Sequence, residues 1–223
     1  MVLFDTFASN YERLVTENVR VAGEPSEYFA AYKAAYLARR IAPRADSKIL
    51  DYGCGIGLLS QQLRKALHCA QIDGFDVSRA SVERIDKELL NQGVFTDNPD
   101  QLGRSYDVVV LSNVLHHVKP ADRENLISES ASRLAPGGKL VIFEHNPMNP
   151  LTRWAVSQCP FDGDAILLPS SESRGFFGGR MRLMWLDYIV FFPRWLRWLR
   201  RIEPALHWCP LGAQYTVVAE RRS

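Results

Sequence analysis

The sequence predicts an α/β protein built on a doubly wound, mostly parallel sheet of seven strands. Three observations carry that expectation. Short β-like apolar runs alternate with helical stretches from about residue 45 onward, a glycine cluster sits between the first strand and the next helix, and no internal repeat or low-complexity tract breaks the order.

Candidate strands lie at 48–52, 71–76, 94–97, 107–111, 139–144, within 181–191 and at 214–219. Helical patterns fill 58–67, 78–90 and 123–134, with Ser78 placed as an N-cap and Pro136-Gly137-Gly138 as a stop signal. Ahead of the first strand, a helical segment over 26–41 carries Tyr28, Tyr32 and Tyr36 at i, i+4 and i+8. That spacing puts an aromatic stripe on one face, readable as core packing or as a lid.

Composition narrows the function classes. With 223 residues and 47% hydrophobic content, one core can bury most of its apolar surface without disulfides or a structural metal. Lys plus Arg (27) against Asp plus Glu (25) leaves a net charge of +2, too balanced for the basic footprint of nucleic-acid binding. Cys54, Cys69, Cys159 and Cys209 form no C-x-x-C pair, which points away from a zinc knuckle and toward a reducing, cytoplasmic setting. Asp5 stands where a secretory signal needs positive charge, and the most apolar stretch, 183–199, is broken by Asp187, Pro193, Arg194 and Arg197.

The segment Asp51-Tyr52-Gly53-Cys54-Gly55-Ile56-Gly57 ends a strand and opens a helix. Glycines there permit a sharp turn and close approach of a ligand to the main chain, and the helix presents unpaired N–H groups. Asp76 closes the second strand, where an acid can accept hydrogen bonds from ribose hydroxyls. The spacing G-x-G-x-G, with Leu58 in place of a third glycine one position later, departs from the dinucleotide fingerprint and disfavours a nicotinamide cofactor.

Through this motif, Asp76, Tyr106-Asp107-Val108-Val109-Val110 and Leu134-Ala135-Pro136-Gly137-Gly138, the chain resembles the class I S-adenosylmethionine-dependent methyltransferases. The resemblance implies a Rossmann-like sheet with an antiparallel last strand and S-adenosylmethionine as cofactor. It implies cofactor contacts for Asp51, Gly53, Cys54, Gly55, Asp76, Val77, Ser112 and Asn113, and an adenine contact for Asp97 or Asn98. Asp97 also reads as turn chemistry ahead of Pro99. Phe4-Asp5-x-x-Ala8-x-x-Tyr11 resembles the family's opening segment, making Tyr11 a candidate to close over the cofactor. On this reading residues 1–44 form an N-terminal helical lid and 45–223 the methyltransferase domain, with acceptor-side insertions at 146–178 and 193–211.

Ligands of open α/β sheets bind beyond the carboxyl ends of the strands, which here carry His116, His117 and His145. Histidine can take a proton from a hydroxyl acceptor as the methyl moves, so an oxygen acceptor is favoured, with His145 the first choice of base. His117 reads equally as a packing residue. His116, His117, Glu144 and His145 also make a ligand-type set, but adjacent histidines diverge, and metal-free transfer is the expectation. Asn113-Val114-Leu115 lacks the Pro-Pro-aromatic motif of methyltransferases that act on nucleic-acid amines. The run from Glu144 to Arg153 resembles a bacterial subgroup of the family.

Residues 194–202 read as a basic amphipathic helix, with Trp195, Leu196, Trp198, Leu199 and Ile202 on one face and four arginines opposite. Such a face packs as core or meets a membrane interface, in which case the acceptor is apolar or lipid-linked and the protein is peripheral at the inner membrane surface. Two other functions stay open at this point: a nicotinamide-dependent oxidoreductase, and a catalytically silent, membrane-docked binding module.

Overall fold

The computed structural model describes residues 24–67, 70–159, 163–179 and 181–222. Its sheet has the order β3-β2-β1-β4-β5-β7-β6, built from β1 (Lys48–Tyr52), β2 (Gln71–Phe75), β3 (Phe95–Thr96), β4 (Tyr106–Ser112), β5 (Leu134–His145), β6 (Met181–Ile189) and β7 (Gln214–Arg221). The first five strands pair in parallel, while β7 is antiparallel to both β5 and β6. The expected seven strands, and the antiparallel last one, are therefore present. Val109, Val110 and Leu111 of β4 and Leu140 to Phe143 of β5 are fully buried, because parallel strands are covered on both faces. The strand order reverses between β1 and β4, which opens a crevice at their carboxyl ends.

Helix α1 (Ser26–Tyr36) runs into a π-helical turn, Leu37–Ile41, and packs with α2 (Leu58–Ala66) on one sheet face. Its tyrosine stripe divides. Tyr36 is core, edge-on to Phe143 and donating its hydroxyl to Asp187 Oδ2 at 2.7 Å, whereas Tyr28 lines the crevice.

Four local expectations are corrected. The single helix expected over 78–90 is two: α3 (Arg79–Val82), capped by Ser78 Oγ, and α4 (Lys87–Leu90), capped by Asp86 Oδ1, which accepts from Glu88 N at 2.7 Å. Asp86 competes for backbone donors and restarts the helix. The third strand shrinks to two residues because Asn98 accepts from Asp100 N and starts a 3-10 turn at Pro99–Gln101. Helix α5 (Pro120–Ser132) begins three residues early, and Leu134 belongs instead to β5, paired with Tyr106 before a bulge.

The fourth correction concerns 194–202. Arg194–Leu206 is 3-10 rather than α-helical, kinked at Leu196, with Pro204 inside it. Arg200 is half-buried and Glu203 is buried, whereas Arg194 and Arg197, at the same three-residue spacing nearer the kink, are exposed. Arg200 Nε donates to Phe192 O, its Nη2 pairs with Glu24 at 2.8 Å, and its guanidinium lies 4.4 Å from the Tyr28 ring. The arginines therefore do not share one solvent face. Helix α6 (Pro150–Ser157) lines the crevice, and α7 (Ser170–Gly175) packs against β6 and β7. No helix among the described residues is long and apolar enough to cross a membrane.

Candidate active site

The glycine turn is held by the end of β2. Gly53 N and Cys54 N both donate to Phe75 O, at 2.7 and 2.9 Å, and Gly55 N donates to Asp76 Oδ2 at 2.7 Å. Asp76 Oδ1 accepts from Ser78 N at 2.9 Å, so one carboxylate braces the turn and the next helix together. Gly53 sits at φ +87, and a Cβ there would lie 2.4 Å from Val114 Cγ2, so only glycine meets both constraints. Cys54 is buried against Ile85 and Leu89, and burial holds its thiol well above the usual range. It is a packing residue that also walls the crevice.

Asp51 ends buried at the floor. Its Oδ2 accepts from Ser60 Oγ at 2.7 Å, while Oδ1 is buried without a partner. Burial pushes its carboxyl up to about 6, Asp76 adds to that, and Ser60 and Lys33 oppose it. A buried acceptor with an unmatched oxygen is costly unless a donor arrives. An unmatched acid beside a cradle closed to any Cβ fits a ligand carrying ammonium or hydroxyl donors.

On the β4 and β5 side, polar groups converge. Lys33 of α1 is 4% exposed and donates to Ser112 Oγ at 2.8 Å and to Asn113 Oδ1 at 3.0 Å. Burial pulls its ammonium down to about 8, against Glu144 and Asp51, which draw it up. Asn113, at φ +58, turns its Nδ2 to His145 Nε2 at 3.3 Å. Glu144 is fully buried; its Oε1 accepts from Leu115 N at 2.7 Å and its Oε2 meets His116 Nδ1 at 2.6 Å. Burial alone would raise the Glu144 carboxyl, but His116, His145 and the Leu115 amide hold it below the usual range. The His116 ring lies 4.1 Å from that of His117 and 5.0 Å from that of His145.

These two halves face one cavity of about 890 Å³. It gathers Asp51, Gly53, Cys54, Gly55, Asp76, Val77, Ser112, Asn113, His116, His117 and His145, all expected from the sequence. Asp97 and Asn98 are exposed and are not among its walls; Asn98 serves the 3-10 turn. Tyr11 lies outside the described residues. Among the described residues no group of three or more His, Cys, Asp or Glu is arranged to hold a metal ion.

Sequence reasoning missed Lys33, although a signal existed: it is the one charged residue between Phe29 and Tyr36 on a face otherwise aromatic and small. It also did not single out Phe191 and Phe192, which line the cavity together with Leu151 and Ala155 of the insertion expected on the acceptor side.

A mostly parallel sheet with this strand order and an antiparallel β7, a glycine turn braced by the acid after β2 and a histidine-lined crevice define a class I S-adenosylmethionine-dependent methyltransferase. The chain belongs to the methyltransferase-domain family, whose model matches residues 26–206. This membership sets aside the nicotinamide reading. Among its relatives, an uncharacterized methyltransferase of Staphylococcus carnosus is 28% identical over 146 residues, 65% of this chain and 67% of that protein. A ubiquinone biosynthesis O-methyltransferase of Ralstonia nicotianae is 31% identical over 105 residues, 44% of this chain but only 42% of its own length. In fold the chain is similar to magnesium protoporphyrin IX methyltransferase from Synechocystis PCC 6803, with a TM-score of 0.68 and 19% identity over 99% of this chain and 98% of that one.

Proposed function

We propose that this methyltransferase acts on an oxygen of a small-molecule or lipid-linked acceptor, and that the histidine cluster at the ends of β4 and β5 handles the acceptor's proton. The observation that carries the reading is the shared cavity: the braced glycine turn lies on one side of it, and His145, backed by His116 and Glu144, on the other.

When bound, S-adenosylmethionine supplies an electrophilic methyl group on a sulfonium centre. Asp51, the Gly53 to Gly55 backbone, Asp76 and Val77 would hold it, Asp51 offering its unmatched Oδ1 to a donor. The chain's remaining work is positioning, exclusion of water and one proton. Lys33 holds Asn113 Oδ1, which leaves Asn113 Nδ2 facing His145 Nε2 and places the neutral ring's proton on Nδ1. An acceptor hydroxyl would compete with Asn113 for that Nε2 lone pair and lose its proton to it. Glu144, anionic and buried, stabilises the imidazolium that results. The O-methyltransferase activity named for the Ralstonia relative supports the choice of oxygen.

The test is labelled-methyl transfer to cell extract divided into aqueous and lipid fractions, with His145→Ala as control. The variant should transfer about 10²-fold more slowly while S-adenosylhomocysteine affinity stays within about twofold. If His117→Ala alone gives that loss, the proton belongs to the other histidine.

A further inference from the structure

Beside the cavity, large apolar side chains on α6 and on residues 195–211 form a rim that is left uncovered by any described residue. Trp195, Trp198 and Trp208 are 74%, 70% and 76% exposed, and Leu151 and Leu211 each 64%. They come from two segments that are tied together: Asn149 Nδ2, at the start of α6, donates to Leu211 O at 2.7 Å, and Asn146 Nδ2 donates to Pro210 O at 2.9 Å. Leu151 and Trp195 also line the cavity itself, so the rim and the acceptor route are continuous. Large exposed apolar side chains gathered on two linked segments mark a contact surface rather than ordinary scatter.

Charge indicates what it contacts. Arg194, Arg197 and Arg201 are exposed beside the tryptophans, and Glu203, the one acid between residues 194 and 211, is buried with its Oε1 accepting from Phe191 N and Phe192 N. Tryptophans with arginines, and no exposed acid among them, match the headgroup level of an anionic bilayer. A folded protein partner would more often be met with mixed charge.

We propose that this rim docks the enzyme on an anionic membrane surface and that its acceptor is an amphiphile drawn from the bilayer into the cavity without crossing water. This rests on the acceptor reading above and narrows it to the lipid-linked class. Exposed Leu151 and Trp195 and half-buried His145 line the same cavity, which would take the acceptor.

Flotation of the full chain decides. With vesicles of equimolar phosphatidylcholine and phosphatidylglycerol the wild type should float, and with phosphatidylcholine alone it should not. Trp195→Ser/Trp198→Ser/Trp208→Ser should bind at least tenfold more weakly, and each Arg→Gln change at 194, 197 or 201 about fivefold more weakly. Circular dichroism of the tryptophan variant should match wild type, as should the S-adenosylhomocysteine affinity of Trp198→Ser/Trp208→Ser, whose side chains do not line the cavity. Absence of flotation, or equal flotation of the tryptophan variant, overturns the proposal. So does a wild-type dimer that the variant loses, since that gives the face to a second copy, and so does label appearing only in the aqueous fraction. S-adenosylhomocysteine binding and aqueous methyl transfer report on the methyltransferase reading separately, so either idea can fail while the other stands.

Discussion

Lys33 Nζ donates to Asn113 Oδ1 at 3.0 Å, joining helix α1 to the end of β4 across 80 residues of sequence. The contact orients an asparagine held at φ +58, whose other amide atom meets His145. Helix α1 is thus part of the site as well as a cover for the sheet. The ammonium that makes the contact is itself perturbed, which gives it a measurable signature.

In the folded chain Lys33 loses its proton near pH 8, against an ordinary value of 10.5, because burial disfavours the charge. Between those values the unfolded chain holds the extra proton, so this group's contribution to stability rises with pH; below pH 8 its burial is a standing cost. Urea unfolding of wild type and Lys33→Met should therefore diverge in favour of wild type by up to about 3 kcal/mol as pH rises through that window. A pH-independent difference would place Lys33 outside the buried network. The same variant should slow methyl transfer, through loss of Asn113 orientation, more than it weakens cofactor binding.

Asp51 has the opposite linkage. Its carboxyl titrates near 6 in the free protein, raised by burial, and a donor reaching Oδ1 would favour the charged form. S-adenosylhomocysteine affinity should fall about tenfold per unit as pH drops below 6 and level off above it, with a proton released on binding. Asp51→Asn should bind more weakly at neutral pH and lose the dependence. Titration calorimetry in buffers of different ionisation enthalpy reads both effects, and a flat profile for wild type would remove Asp51 from cofactor binding.

Gly53→Ala should destabilise the fold by about 2 kcal/mol or more, from a positive φ and the overlap with Val114 Cγ2. Adding Val114→Ala removes the overlap but not the backbone strain, so the double variant should regain only part of the loss. Full recovery would show that φ is relaxed there.

Asp76→Ala unties Gly55 N and Ser78 N at once. Cofactor affinity should fall by roughly 1.5 to 3 kcal/mol, the range for hydrogen bonds to a charged group. A folded variant that binds as wild type would leave Asp76 a purely structural brace.

Much was legible in the sequence because it is written in local chemistry. The apolar runs of β4 and β5, the glycine turn and the acid after β2 each lie within a few residues, and the crevice follows from strand order. Two of the four local readings that did not hold show the limit. Asp86 split a helix whose apolar periodicity looked continuous, and residues 194–206 took a kinked 3-10 course in which Arg200 meets Glu24 and Tyr28.

By itself, the sequence determined the class of sheet, the family and the braced glycine turn, since glycine conformation and strand-end acids act over one or two turns of chain. Only the tertiary structure decided that a lysine from α1 orients Asn113, that Glu144 is spent on His116 and Leu115, and that exposed Asp97 and Asn98 are not among the cavity's walls. Those are matters of which groups lose water together. Burial of Lys33, Asp51 and Glu144 within one interior is set by packing between segments far apart in the chain, and no spacing along the chain encodes it.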